Sequence, residues 1–359
     1  MAPGALSILV ERDDLDRLAA GWDRLASRSG SPIQGFAWTR AWAETLGEGY
    51  GLRVLVVGSL DEPVGIAPLA ARRRPFASLE LLGVRELWEP MDFLYADAAA
   101  AARLAEAVAD LRAPLTLTRV PADSPTVALI EESYRDLGRV HVRDAGTCPY
   151  IHLDDGWADP EARLSSRRRS DLRRARRRAE QLGELSCELL SPGPSEVGPL
   201  LEEAFRVEAA GWKGGARTAL ALDPGRASFY EAYAATAASD GHLRVCFLRI
   251  GGQPVAMQLA VAAGESFWLL KIGYDEEFAR CSPGSLLMVE TIRYAAEHGL
   301  RAYEFLGTAD SWTRVWTKTE RPCVSLRAYP FRPRGLGALA LDAASLAGRR
   351  LKRFGAGRR

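Results

Sequence analysis

Apolar residues in the second half of the chain fall into three short runs that turn residues separate. The runs are 243–250 (LRVCFLRI), 254–263 (PVAMQLAVAA) and 267–275 (FWLLKIGYD), and the segments between them are GGQ and GES. Runs of this length and composition are typical of strands, and turns this short join antiparallel neighbours. The pattern therefore predicts a three-stranded antiparallel meander.

A helix with an apolar stripe is predicted directly after the meander. In the segment CSPGSLLMVETIRYAAEHG, Ser282 is expected as the N-cap, Pro283 at the first helical position and Gly299 at the end, because each residue type favours that position. The stripe consists of Leu286, Val289, Ile292 and Ala296. With an amphipathic helix upstream (SEVGPLLEEAFRVEAAGW) and a short strand downstream (RAYEFLG), this half is predicted to run helix, three strands, helix, strand.

The first half of the chain contains a similar pair of strands. Residues 53–70 align with 244–260 in their Arg-Val start, in their turn and in the proline after it, and a predicted helix (DDLDRLAAGWDRLA) precedes them. The agreement favours an internal duplication of one α/β unit; the alternative is that two unrelated hairpins share these features. Residues 154–160 (DDGWADP) are interpreted as a linker.

The composition is that of a globular protein, and it limits the possible classes. The 359 residues are 47% hydrophobic and 26% charged, so a largely disordered chain is excluded. No apolar run approaches the length of a membrane span, and the first residues lack a signal-peptide pattern, so a cytoplasmic protein is expected. The histidines and the five cysteines show no metal-ligand spacing, and no motif of a kinase, hydrolase or dehydrogenase is present.

Positive charge is concentrated in two segments. The net charge of +1 is the sum of +7 in residues 167–178, +7 in residues 332–359 and −13 in the remainder. The first segment has an apolar stripe at helical spacing, so we expect a helix lying on the protein whose arginines face an acidic surface, solvent, a phosphorylated ligand or tRNA. For the second segment, the alternatives are a docked or frayed terminus and a basic amphipathic helix on anionic lipid.

Candidate chemistry is densest in the segment 271–287 (KIGYDEEFARCSPGSLL). Its strand ends in a loop that brings residues 282–285 to the start of a helix. The first amides of a helix have no intrahelical partners and bind anions, for which the pyrophosphate of coenzyme A is a candidate; capping alone is the alternative. Lys271 interrupts an apolar strand, and it points either to water or into a cleft that holds an anion.

The order of elements and three segments resemble the GNAT acyltransferases, in particular the CelD-like branch that is related to the FemAB transferases. The segments are 170–183, 208–220 and 271–287, and residues 22–38 resemble the family's opening more faintly. The resemblance implies an α/β (α+β) fold of two GNAT-like lobes, each with a mixed, mostly antiparallel sheet flanked by helices. The predicted regions are an N-terminal lobe, a linker with the arginine-rich helix, a C-terminal acyltransferase lobe and a basic tail, at 1–153, 154–183, 184–331 and 332–359.

The resemblance also implies direct transfer of an acyl group from acyl-CoA to an amine, without a metal. The acceptor is expected to be a small molecule or a cell-envelope precursor. A peripheral membrane contact through the tail stays one of the alternatives given above for that segment. The candidates for proton transfer are Glu208, Asp275 and Asp310. The candidates for binding the cofactor are Lys271, Ser282, Gly284, Ser285, Leu286, Arg173 and Arg177. The candidates for binding the substrate are Trp212, Lys213, Tyr274, Trp312 and Trp316.

The chain departs from the family after the last core strand. Related members carry an aromatic-lysine pair there, whereas Thr313 follows Trp312 in this chain. Arg314 is no substitute as a base, because a guanidinium stays protonated. Two rival functions remain from the sequence: a FemAB-like transferase that takes its acyl group from aminoacyl-tRNA, and a non-catalytic partner in an envelope assembly.

Overall fold

The computed structural model describes residues 6–72, 76–211 and 220–356, with the backbone alone described at 221 and 346–356. The strands are β1 Leu6–Leu9, β2 Tyr50–Leu52, β3 Val54–Gly58, β4 Pro63–Ala67, β5 Leu69–Arg72, β6 Leu79–Leu81, β7 Leu94–Tyr95, β8 Leu115–Pro121, β9 Gly138–His152, β10 Leu185–Leu190, β11 Leu243–Ile250, β12 Gln253–Ala263, β13 Ser266–Tyr274, β14 Ala302–Glu304 and β15 Glu320–Pro330. The helices are α1 Asp13–Asp16, α2 Ala19–Ala26, α3 Phe36–Thr45, α4 Val84–Leu87, α5 Ala98–Asp110, α6 Pro125–Ser133, α7 Ser166–Leu182, α8 Val197–Ala209, α9 Pro224–Ser239, α10 Pro283–Glu297 and α11 Pro333–Ala356.

The chain divides into two compact units that are not consecutive in sequence. Unit 1 comprises Met1–Arg28, Gly47–Gly146 and Pro322–Arg359, and unit 2 comprises Ser29–Leu46 and Thr147–Arg321. The linear boundaries predicted from the sequence do not include this exchange of segments. The reason is that the two segments near residues 29–46 and 322–359 pack on elements far from them in the chain, which a linear pattern does not reveal.

The sheet of unit 2 contains the predicted meander. Its strand order is β10-β11-β12-β13-β14-β9, with antiparallel pairing of β11 to β12 and of β12 to β13 and parallel pairing of β13 to β14. Strand β12 is central, and its residues from Val255 to Val261 are buried without alternation, as expected of a strand that is covered on both faces. The three predicted strands and the helix after them are confirmed.

Helices α7 and α10 cover one face of this sheet. Leu172, Ala175 and Ala179 of α7 join one apolar cluster with α10 and with residues of β11, β12 and β13. The arginine-rich segment is therefore a helix that lies on the protein, as predicted. Leu182 is the last residue of α7 and is 62% exposed, so the buried stripe ends one turn earlier, at Ala179.

Unit 1 has a comparable composition of elements. One sheet has the order β1-β3-β4-β7, and a run of strands pairs in the order β15-β8-β6-β5-β2. The hairpin predicted at 53–70 is β3 and β4, which pair antiparallel. Strands β6 and β8 pair in parallel, and the chain between them forms α4, β7 and α5. Both units thus have mixed, mostly antiparallel strands flanked by helices, and the predicted fold class is confirmed.

Two local expectations are corrected. The predicted linker forms 3-10 turns at Asp155–Ala158 and Pro160–Arg163. The Asp154 side chain accepts from the Gly156 amide at 2.9 Å and folds the segment back. Trp157 therefore packs against the apolar cluster of unit 2. The predicted cap at Ser282 is replaced by a backbone arrangement, which is described with the site below.

The five cysteines are buried or half-buried in the fold. Cys148, Cys246, Cys281 and Cys323 are buried thiols, and Cys187 is half-buried. Burial raises the pKa of the Cys187 thiol to about 12, so this thiol is protonated near neutral pH.

Among the described residues, no helix has the length and apolar character that crossing a membrane requires.

Candidate active site

A cavity forms in unit 2 because two parallel strands separate. Strand β14 pairs with β13 only at Ser266, Phe267 and Trp268, whereas β13 continues to Tyr274 along its other neighbour, β12. Beyond Trp268, no strand within the described chain pairs with the open edge of β13. The chain after β14 turns away at Leu306 and Gly307, both of which have positive φ angles of 56° and 51°, and this turn holds the gap open.

The cavity has a volume of about 640 Å³, which lies within the ordinary range for small-molecule sites. Its lining comes from α8, from β12 and β13, from the start of α10 and from the segment after β14. Eight predicted site residues lie in this lining: Glu208, Tyr274, Ser282, Gly284, Ser285, Asp310, Trp312 and Trp316. Residues that are far apart in the sequence are therefore brought together as the predicted roles require.

The cavity reaches both faces of the sheet. Successive strand residues point to opposite faces, so Gly273 and Tyr274 identify the two sides. A Cβ atom at Gly273 would lie 2.7 Å from the Cα of Glu208, whereas the Tyr274 ring lies 3.7 Å from the Cβ position of Gly284. Glu208 therefore lies on one face and the start of α10 on the other, with the gap between β13 and β14 joining them.

The start of α10 presents donors to the cavity. Ser282 adopts a left-handed conformation (φ 45°), and its side chain makes no capping bond; instead its carbonyl accepts from the amides of Ser285 at 3.0 Å and Leu286 at 3.2 Å. Within the described residues, the Gly284 amide and the hydroxyls of Ser282, Ser285 and Tyr274 have no hydrogen-bond partner. A left-handed non-glycine residue is strained, and the four residues that carry these donors all line the cavity.

Glu208 is a buried carboxylate in the cavity wall. Its side chain is 2% exposed, and Oε2 accepts from the Leu220 amide at 2.9 Å. The end of α8 approaches β13 so closely that a side chain at Gly211 or Gly273 would meet backbone at 2.6 or 2.7 Å. Two glycines therefore position the carboxylate, and the sequence signal for this contact is the pair of glycines at 211 and 273.

Asp310 lies in an exposed turn at the mouth of the cavity. The Thr313 hydroxyl donates to the Asp310 carbonyl at 2.9 Å and accepts from its amide at 3.0 Å, and Thr313 is 1% exposed. The threonine at the position where relatives carry lysine thus closes a turn. This turn carries Trp312 and Trp316, whose side chains contact the apolar cluster of the unit and line the cavity.

Five predicted residues that the structure describes lie outside the lining, namely Asp275, Lys271 and Leu286, and the arginines Arg173 and Arg177 of α7. The Asp275 carboxylate accepts from the Glu277 amide at 3.0 Å and caps a 3-10 turn. The Lys271 ammonium lies 4.9 Å from the centre of the Tyr230 ring. Leu286 is 2% exposed in the apolar cluster. Trp212 and Lys213 lie outside the described residues, and their predicted role in binding substrate stays a prediction.

The arginines of α7 divide into two groups. Arg176 pairs with Glu161 at 3.2 Å and Glu290 at 3.6 Å, Arg174 pairs with Asp171, and Arg178 donates to the Arg280 carbonyl at 3.1 Å, two residues before Ser282. Arg173 and Arg177 are exposed, and neither has an ion-pair partner in the part of the chain that the structure describes. Their predicted contact with the cofactor stays a prediction, because neither residue lines the cavity.

The sequence did not reveal the buried polar groups that support the cavity. Gln258 lines it at 1% exposure, and its Oε1 accepts from the Tyr303 hydroxyl at 3.3 Å, which lies 3.0 Å from the Thr291 hydroxyl. A glutamine within the apolar run PVAMQLAVAA was the available signal. This network fixes α10 against β12 and β14 beside the site.

A second buried acid, Glu304, ends β14 next to the cavity residue Phe305. Burial raises the pKa of the Glu304 carboxyl, and the adjacent Arg321 guanidinium opposes this shift. The two groups pair at 2.5 Å, and Arg321 lies 3.6 Å from the centre of the Tyr150 ring. Glu304 of β14 is therefore anchored by Arg321 at the start of β15, which in turn lies against Tyr150 of β9, and Glu304 does not line the cavity.

Comparisons with known proteins agree with this geometry. Residues 166–314 match the family model described as an acetyltransferase (GNAT) domain. No curated protein matches the chain. Among solved structures, the chain is similar to a domain assigned as the C-terminal domain of a lysylphosphatidylglycerol synthetase from Agrobacterium fabrum. The two share 12% sequence identity and superpose with a TM-score of 0.58, and the match covers 93% of this chain and 96% of that one.

Two further structures share the fold. FemX has 14% identity, a TM-score of 0.55 and coverage of 91% of this chain and 97% of that one. L-PGS from Bacillus licheniformis has 13% identity, a TM-score of 0.55 and coverage of 91% and 95%. At these identities the likeness is one of fold. Together with the domain match, it confirms the resemblance to GNAT and FemAB-like acyltransferases that the motifs indicated.

Proposed function

We propose that this chain, an acyltransferase whose residues 166–314 form a GNAT domain, transfers an acyl group from acyl-CoA to an amine through the cavity of unit 2. The observation that carries the proposal is the gap between β13 and β14, which joins the donor-rich start of α10 on one face of the sheet to Glu208 on the other.

The α10 face suits a phosphorylated donor. The Gly284 amide and the hydroxyls of Ser282 and Ser285 converge at a helix N-terminus, where the helix dipole also favours an anion. The open edge of β13 offers backbone groups along the gap, and an extended amide-bearing arm of the donor would pair with them. Coenzyme A has both features, namely a pyrophosphate and an extended arm with two amides.

The Glu208 face suits the acceptor. In the proposed reaction the amine nitrogen attacks the thioester carbonyl carbon, the C–N bond forms, the C–S bond breaks, and the coenzyme A thiolate leaves and is protonated. The proton of the attacking amine passes to Glu208, directly or through one water molecule. Asp310, which is exposed at the cavity mouth, is a second candidate for the same role. Asp275 is the weaker candidate, because its carboxylate caps a turn.

Ligand-induced stabilisation tests the donor. Acetyl-CoA and longer acyl-CoA thioesters should raise the melting temperature, because a ligand selective for the folded state adds about 2.7 kcal/mol of stability at a hundredfold excess over its dissociation constant. The measurement is thermal unfolding with a series of thioesters, with dephosphorylated pantetheine thioesters as the matched control. Because the proposed site binds the phosphates of coenzyme A, the pantetheine control should raise the melting temperature less than the matching acyl-CoA.

An aminoacyl-tRNA donor is the alternative that the fold shared with FemX keeps open. It predicts that no thioester shifts the melting temperature, while tRNA binds with an affinity that falls steeply with salt. The acceptor classes that we propose are cell-envelope precursors and lipids, which the neighbours FemX and L-PGS suggest.

A further inference from the structure

The start of α11 in unit 1 carries an exposed apolar and basic surface. Phe331, Leu336 and Leu341 are 54%, 53% and 55% exposed, and Arg332 and Arg334 beside them are exposed as well. We name these five residues the tail surface. Large apolar side chains that lie together on a protein surface mark a site of interaction, whereas single exposed ones are ordinary.

The helix is fixed to unit 1 by its first turns. Ala338 is buried, and the Asp342 carboxylate accepts from Arg327 at 2.6 Å and from the Tyr329 hydroxyl at 2.5 Å. Gly337 faces the Phe76 ring, which would lie 2.7 Å from a Cβ atom there. The tail surface is therefore held in a defined position, while the helix continues to Ala356.

The sequence after this anchor is strongly basic. Residues 344–359 contain six basic residues and no acidic one, and the only acid of α11, Asp342, is already paired. The basic residues alternate with Leu346, Leu351 and Phe354 at helical spacing. A helix of this composition is typical of segments that lie in the interface of an anionic membrane.

We propose that α11 and the tail surface bind the anionic surface of a lipid bilayer, with the helix lying in the plane of the interface. One observation favours lipid over RNA. Exposed leucines lie beside the arginines of the tail surface, and aliphatic side chains have partners in acyl chains but not in a phosphate backbone. The proposal does not depend on the identity of the acyl donor.

Binding to vesicles tests this inference on the full chain. The probe is phosphatidylcholine vesicles with about a third phosphatidylglycerol, compared with phosphatidylcholine alone, at about 0.1 M and about 1 M salt. The expected result is co-sedimentation with the anionic vesicles only, and release at the higher salt. Neutralising four basic residues of the helix should weaken binding at least about a hundredfold. The substitutions are Arg349→Gln, Arg350→Gln, Lys352→Gln and Arg353→Gln.

Two further variants separate the contribution of the basic helix to vesicle binding from those of net charge and of the apolar side chains. A matched control neutralises four exposed arginines elsewhere in unit 1, and its binding should stay within about threefold of the parent because these residues lie outside the basic helix. The control substitutions are Arg12→Gln, Arg28→Gln, Arg139→Gln and Arg143→Gln. Leu336→Asn with Leu341→Asn should weaken binding about tenfold or more while the salt dependence stays the same.

The proposal is wrong if the control weakens binding as much as the helix variant, since net charge alone would then explain it. Equal binding to neutral and anionic vesicles, or no binding to either, also overturns it. Binding to tRNA but not to vesicles would assign the helix to nucleic acid. None of these outcomes bears on transfer from acyl-CoA, which the thioester series tests separately.

Discussion

Replacing Glu208 with glutamine is expected to lower kcat by about two to four orders of magnitude, the usual contribution of a positioned general base. The substitution removes the proton acceptor and keeps the shape of the side chain. The glutamine carbonyl still accepts from the Leu220 amide, which Glu208 Oε2 does at 2.9 Å, so the local fold should persist. The measurement is the release of coenzyme A thiol in the presence of a primary amine, with thermal unfolding as the check on folding.

Asp275→Asn is the matched control for this prediction. It makes the same chemical change at a carboxylate outside the cavity lining, and asparagine can still cap the turn by accepting from the Glu277 amide. We expect its kcat to stay within about threefold of the parent, as for a substitution outside the reacting groups. A Glu208→Gln enzyme with parental kcat would show that Glu208 is only a buried anchor and would move the role of base to Asp310.

Replacing Gly284 with glutamate is expected to have opposite effects on stability and on donor binding. A Cβ atom at this position would meet the Tyr274 ring at an ordinary 3.7 Å, and the residue lies in the first turn of α10, so the fold tolerates the change. The new carboxylate complements the helix dipole and should stabilise the protein by about 0.3–1 kcal/mol. The same charge lies where the donor phosphate binds, so the affinity for acyl-CoA should fall by about ten- to a hundredfold.

Calorimetric titration with acyl-CoA and thermal unfolding measure the two effects on one sample. Gly284→Ala serves as the control, because it adds the Cβ atom without the charge; its affinity should fall by less than about threefold. Parental affinity in Gly284→Glu would remove the donor from the start of α10. A loss of both stability and affinity would mean that the substitution disrupts the helix, and titration of Ser285→Ala would then test the same donors.

Local structure in unit 2 was accessible from the sequence because it follows from short-range chemistry. The strands 243–250, 254–263 and 267–275 and the helix after Ser282 have their bounds set by turns, a proline and periodicity, and the structure reproduces them within about two residues, the usual uncertainty of such bounds. Seven of the eight predicted residues that line the cavity come from this region or from the turn at Asp310, and the eighth, Glu208, comes from α8.

Long-range pairing was not accessible in the same way. The gap between β13 and β14 depends on pairing that ends at Trp268, and Gln258 and Phe305 line it because of this tertiary arrangement. The capping of α10 also differs, since Ser282 has a left-handed backbone, makes no side-chain cap and lines the cavity. Departures from local rules at a site of this kind are expected where function competes with stability.

The arginines of α7 show a further limit of sequence reasoning. Their helix and its apolar stripe were predictable, but the division into paired and exposed residues was not, because Glu161 and Glu290, which pair with Arg176, come from other elements. Part of the charge is therefore offset within unit 2. Arg173 and Arg177 are exposed, and a phosphorylated ligand is one candidate for the anion that their charge would bind.

Amide hydrogen exchange with and without acyl-CoA tests the central claim most directly, because it locates the donor on the chain. If the donor binds in the gap between β13 and β14, exchange should slow in the peptides that contain the start of α10 (281–288) and the segment after β14 (305–317). Peptides of unit 1 should exchange as before. Slowed exchange confined to unit 1, or no change at 281–288 under saturating acyl-CoA, would contradict the assignment of this cavity as the donor site.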